Sequence, residues 1–191
     1  MYSTEHLIEQ HFQKKPGENL EVLQDRYREI SSFHKDPLTA AILATSYYGM
    51  EELQMRLPRI NEIMRNPFSR DEDLHAVTGL IIAADGGPAE GAKAIQIRMA
   101  LGEQGIRADE SKTCHLIALL AIASRKVLPL MEELLDPSLE EEERKAAFHV
   151  AAADWLLAER ERQALICNEE DMAYALLVGL KDEVDTILEE K

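Results

Sequence analysis

At 191 residues the chain can bury one sizeable core, and an apolar content of 46% argues against a disordered polymer. A formal charge of −15 repels phosphate backbones and anionic bilayers, so neither nucleic acid nor a membrane surface is an expected partner. The only two cysteines, Cys114 and Cys167, exclude a disulfide framework.

Aromatic residues make up 5%, so Leu, Ile, Ala and Met must fill the core. Ser3 or Thr4 caps a predicted first helix that ends near Gln13, where Lys14-Lys15-Pro16-Gly17 breaks it. A second helix is predicted from about Asn19 to Ser31, with Leu20, Leu23 and Tyr27 on one face.

A phrase then recurs. Asp36-Pro37-Leu38-Thr39 opens it, Asp71-Glu72-Asp73-Leu74 echoes it, and Asp109-Glu110-Ser111 begins it again. The intervals are 35 and 38 residues, which fits one helix pair per unit, stacked on its neighbours. In the first unit Asp36 is the predicted cap and Pro37 the first helical residue, with Leu38, Ala41, Ile42, Thr45 and Tyr48 as the buried stripe and Gly49 as the stop. Its partner helix carries Leu53, Leu57, Ile60 and Met64 on one face, and Pro58 predicts a kink or a restart. In the second unit Ser69 and Glu72 have capping-box spacing, and Leu74, Val77, Ile81 and Ile82 form the stripe. After the turn Asp85-Gly86-Gly87-Pro88, the residues Ala92, Ile95 and Met99 are predicted to line the partner helix.

In the third unit Asp109 is the predicted cap of a helix that is apolar on nearly every side from Cys114 to Ala123, as expected at the centre of a domain. Cys114 reads there as a buried, inert thiol. Val127, Leu130, Met131, Leu134 and Leu135 mark its partner. The last unit is divergent. Ser138 and Glu141 have capping-box spacing, Phe148, Ala152 and Trp155 mark a helix running to Arg160 or beyond, and Asn168 caps a final helix whose stripe reaches Leu188. The sum is a single all-α domain over 1–191, an N-terminal helical pair in 1–33 and repeat-like helix pairs in 34–191. It contains about ten helices, arranged as a short α-solenoid or a compact helical bundle.

The run Phe33-His34-Lys35-Asp36-Pro37-Leu38-Thr39-Ala40-Ala41-Ile42-Leu43-Ala44 resembles a segment of an uncharacterised, all-helical bacterial family known only as a domain of unknown function. Asn66-Pro67-Phe68-Ser69 and Gly105-Ile106-Arg107 carry the later rhythm, so the resemblance covers roughly Ser31 to Ser124. It implies a helical fold and a bacterial origin. It supplies no activity and no site residues, since the shared residues are packing and capping residues.

Histidines are the best candidates for chemistry. His75, His115 and His149 lie in the first helices of three successive units, and His34 precedes another. Glu72-x-x-His75 has the spacing of a di-iron carboxylate helix, so Glu72, His75, His115 and His149 are candidate metal ligands if the units bring them to a common groove. Such a site needs a second Glu-x-x-His, and Lys112 and Ala146 stand where it would require glutamates. The competing expectation is that these histidines make hydrogen bonds between helices.

No His-Asp dipeptide, no His-Glu-x-x-His, no Gly-x-Ser-x-Gly and no Gly-Lys phosphate loop occur. Glu140-Glu141-Glu142-Glu143 lacks the third ligand of a magnesium pyrophosphatase pattern, and Pro137 closes off Glu132-Glu133-x-x-Asp136. Trp155, Tyr47 and Tyr48 are expected in the core. No cofactor is expected. The start Met1-Tyr2-Ser3-Thr4-Glu5-His6 lacks a secretory pattern, and the run Leu116 to Ala123 is too short to span a bilayer, so a cytoplasmic location follows by default. The expected function is binding or scaffolding of a protein partner, with self-association through a stack end compatible with the pattern. The alternatives are a metal-dependent enzyme and a ligand-sensing bundle with an apolar pocket near the third unit.

Overall fold

The computed structural model describes residues 3–13, 15 and 17–161. The cap at Asn168, the stripe to Leu188 and Cys167 lie outside the described residues. Among the described residues the chain forms helices only: α1 (Thr4–Gln13), α2 (Leu20–Phe33), α3 (Pro37–Thr45), α4 (Met50–Met64), α5 (Asp71–Ala83), α6 (Pro88–Glu103), α7 (Ser111–Ala123), α8 (Val127–Leu134) and α9 (Glu141–Glu161). None of them is long and apolar enough to cross a membrane.

The odd-numbered helices pack in succession, α1 on α3, α3 on α5, α5 on α7 and α7 on α9. The even-numbered helices α4, α6 and α8 pack in the same order, and each even helix from α2 to α8 also lies against the odd helix that follows it. Helices of the odd rank therefore have neighbours on several sides. Thr39 to Thr45 of α3, Asp73 to Ala83 of α5 and Thr113 to Ala121 of α7 are buried without a break. Even helices bury one stripe each, such as Leu53, Leu57, Ile60 and Met64 of α4. Their exposed faces meet solvent.

Caps explain several boundaries. Ser3 Oγ accepts the His6 N–H at 3.2 Å, Asn19 Oδ1 accepts from Glu21 N at 2.9 Å, and Asp36 Oδ2 accepts from Thr39 N at 2.9 Å. Other expected caps are not formed. Arg70, Glu110 and Glu141 border or begin helices for which Ser69, Asp109 and Ser138 were the expected caps. Ser138 instead turns back on Asp136, with its N–H and hydroxyl both donating to Oδ1. At α5 the first-turn acids Asp71, Glu72 and Asp73 complement the helix dipole without a side-chain cap.

Four further expectations are corrected. Helix α3 stops at Thr45, where Ser46 Oγ donates to the Leu43 carbonyl at 2.7 Å, and Gly49 caps α4 instead of ending α3. Helix α4 runs through Pro58 without a restart, because the proline lies on the exposed side while buried residues before and after it hold both halves. The buried face of α6 is Gly91, Ala94, Ile97 and Leu101, so Ala92 and Met99 point outward. That one-residue shift rotates the face by a helical step of about 100°. Of the aromatics, Tyr48 is buried and Trp155 packs against the core, but Tyr47 is exposed.

One close approach sets the spacing between α3 and α5. A Cβ added to Gly79 would lie 2.6 Å from Thr39 Cβ and 2.8 Å from His34 Nε2. In an ordinary helix interior Gly→Ala is stabilising by up to about 1 kcal/mol. Here Gly79→Ala is expected to destabilise by roughly 1–3 kcal/mol, the usual cost of overpacking. Urea unfolding of the two proteins checks this; an equal or raised midpoint would contradict the close contact.

Candidate functional site

The chain between α2 and α3 is extended, with His34 at φ −118° and Asp36 at φ −88°. This short segment places His34, Lys35 and Asp36 against α5 and α7. Asp36 Oδ2 receives three donors: the Thr39 N–H at 2.9 Å, the Thr39 hydroxyl at 2.8 Å and His115 Nε2 at 3.0 Å. The Lys35 N–H donates to His75 Nδ1 at 2.8 Å. His34 Nε2 lies 2.6 Å from Thr39 Oγ1, and its ring stacks on His75 with centroids 4.7 Å apart. His34, Asp36, Thr39 and His115 are each at most 2% exposed.

These bonds assign the protons. A carboxylate only accepts, so the single Thr39 hydroxyl proton goes to Asp36. His34 Nε2 must then donate to Thr39 Oγ1, which leaves His34 Nδ1 as an acceptor. His75 accepts at Nδ1 and so carries its proton on Nε2. His115 donates from Nε2. Burial, followed by the neighbouring His75, lowers the His34 pKa to about 3, and burial likewise lowers that of His75. For Asp36 burial alone would raise the pKa; the His115 ring and the Thr39 donors override it and hold it at about 2.

Such a group is poorly suited to acid–base catalysis. A general base works best with a pKa near the working pH, and His34 is far below it. The nitrogens that face the network are already engaged. Its effect is to tie α3 to α5 and, across α5, to α7. Two similar pairs extend the pattern: His11 Nε2 with Thr45 Oγ1 at 2.7 Å joins α1 to α3, and Thr113 Oγ1 with His149 Nε2 at 2.9 Å joins α7 to α9.

The four candidate metal ligands are not brought together. Glu72 is exposed and paired with Arg70 at 2.9 Å, His75 is bound to Lys35, His115 to Asp36 and His149 to Thr113. Among the described residues no group of three or more His, Cys, Asp or Glu side chains could hold a metal ion. His75 and His115 both meet the α2–α3 junction, each with the nitrogen that faces it engaged, and His149 lies at the α7–α9 interface. Cys114 is buried, with Sγ 3.7 Å from the Ala108 carbonyl, and burial pushes its pKa up to about 12, so its thiol is unreactive at neutral pH.

Beside the network, at the α2–α3 junction and α4, lies an open cleft of about 300 Å³ lined by Phe33, His34, Gln54, Leu57, Pro58 and Asn61. It sits well before the α7–α8 unit near which a pocket was expected. Asn61 Oδ1 is buried there without a hydrogen-bond partner. The sequence pointed to His34 among the histidines but not to Thr39 as a member of the network. Threonine precedes histidine by 36 residues in both Thr39/His75 and Thr113/His149, although the first pair meets through the His75 carbonyl and only the second through its ring.

Comparison with family models, with curated proteins and with solved structures found no match. The geometry alone therefore carries the functional argument.

The network makes stability depend on pH. The unfolded chain binds a proton at His34 near 6.5, whereas the folded protein refuses it until about 3. The stabilisation is fully present above about pH 6.5 and is lost as pH falls toward 3, with His75 adding in the same direction. Asp36 adds a second loss as pH falls from 3.8 toward about 2. Urea midpoints are expected to fall continuously below about pH 6.5, and His34→Gln to flatten that fall. A midpoint unchanged between about pH 7 and 4 would contradict a neutral, buried His34.

Proposed function

We propose that this chain is a protein-binding module whose even-numbered helices receive a basic, amphipathic segment of a partner. One observation carries this: large apolar side chains stand in solvent on α4, α6 and α8, and each has an acid near one turn away. Met55 (60% exposed) has Glu51 one turn before it and Arg59 one turn after, Met99 (60%) precedes Glu103, and Leu128 (67%) precedes Glu132. Ile63, beside Glu62, extends the set. Among the described residues, no helix of the odd rank carries an exposed large apolar side chain.

Methionine suits such a surface, since its flexible and polarisable side chain adapts to different partners. The acids around it favour a cationic helix that lays an apolar stripe along the rank. The charge of −15 adds long-range attraction for such a segment. The buried histidines support the same reading, because the ring nitrogens that face the network are committed to holding helices together.

The test uses a designed Leu/Lys amphipathic peptide of about 18 residues, long enough to form a helix on contact. Binding is expected at roughly 1–100 μM, weakened by salt, with methyl NMR shifts at Met55 and Met99 and none at buried Met64 and Met131. Met55→Glu is expected to weaken it about tenfold, as burying an unpaired charge would do. No binding, binding that leaves the Met55 and Met99 signals in place, or a dimer of the chain that occupies this face and excludes the peptide would contradict the proposal.

A further inference from the structure

We propose that the cleft between the α2–α3 junction and α4 is an anchor pocket for a guanidinium group, an arginine side chain carried by the basic partner segment. This rests on the docking reading above and names the chemistry that recognises the partner. The buried polar atom left without a partner in the cleft is an acceptor. Asn61 Oδ1 is buried and unpartnered. Pro58 has no N–H, so the Gln54 carbonyl one turn earlier receives no helical donor from that position. His34 has its proton committed to Thr39, which leaves Nδ1 as an acceptor.

A buried acceptor without a donor is rare in native proteins and calls for a ligand or water. An anion would find no cationic side chain in the lining. A guanidinium supplies five N–H donors in one plane, and its faces and methylene stem suit the apolar walls of Phe33, Leu57 and Pro58. An ammonium is more strongly hydrated and does not stack. The cleft, about 300 Å³, is at the small end of ligand sites and admits one side chain. Pro58 also borders the exposed face of α4 that carries Met55, so a helix lying on that face has the cleft within reach of one long side chain.

Two amphipathic peptides decide the matter, identical except for arginine or lysine at one central position. The arginine peptide is expected to bind about tenfold tighter to the parent protein. Asn61→Leu removes the orphan acceptor, and Pro58→Ala restores a helical N–H to Gln54. Each is expected to bring the arginine peptide down to the affinity of the lysine peptide. Thermal midpoints at or above that of the parent are expected for both variants, and either variant alone suffices if the other does not fold. Equal affinities for the two peptides on the parent, or an arginine preference that survives both substitutions, would overturn the pocket. In that event, a lysine peptide that still shifts the Met55 and Met99 signals leaves the docking face standing, whereas failure of both peptides to bind removes the two proposals together.

Discussion

One oxygen carries an unusual share of this structure. Asp36 Oδ2 closes the N-terminus of α3 through Thr39 N, holds the Thr39 hydroxyl, and accepts a hydrogen bond from His115, which is 79 residues further along the chain. A buried carboxylate is costly unless its lone pairs are satisfied by good donors. Here the donors come from the helix it caps and from a helix two places away in the odd rank. A local capping residue has thereby become a long-range fastener, and α5 is gripped between its two ends by Lys35 N–H at His75 and the Thr39 hydroxyl near the His75 carbonyl.

The rest follows from how tightly that grip draws the helices. Gly79 has to be glycine because Thr39 and His34 occupy the space a Cβ would need. Helices α3, α5 and α7 are buried on nearly every side, and histidine meets threonine three times around them, between α1 and α3, at the α2–α3 junction and between α7 and α9. The even rank is under no such demand. It buries one stripe per helix and leaves the opposite face to evolve contacts with something else, which is where the exposed Met55, Met99 and Leu128 stand.

Much of this was legible in the residues. Asp36-Pro37 announced a capped helix because a short acceptor side chain and a proline fit the first turn and little else. The all-round apolar run from Cys114 to Ala123 identified the centre of the core. Pattern failed where two solutions differ by one residue: α6 is amphipathic in two registers, and packing against α4, α7 and α8 chose Ala94 and Ile97 over Ala92 and Met99. Capping spacings also misled at Ser69 and Ser138, where Glu72 found Arg70 and Ser138 found Asp136 instead. The histidines were recognised as significant, but spacing along a helix could not reveal that His75 and His115 meet the α2–α3 junction while His149 meets Thr113 of α7. Only the three-dimensional order of the helices separates a converging metal site from a series of fasteners.

Asp36 and His115 act as a unit across α5. A double-mutant cycle with Asp36→Asn and His115→Gln, read as unfolding free energies near neutral pH, tests it most directly. Each single change is expected to destabilise by about 2–4 kcal/mol, because each strands a buried partner. The double variant is expected to fall short of their sum by at least about 1 kcal/mol, the mark of residues in contact. Additive losses would show that the two side chains stabilise the fold independently and would contradict the account.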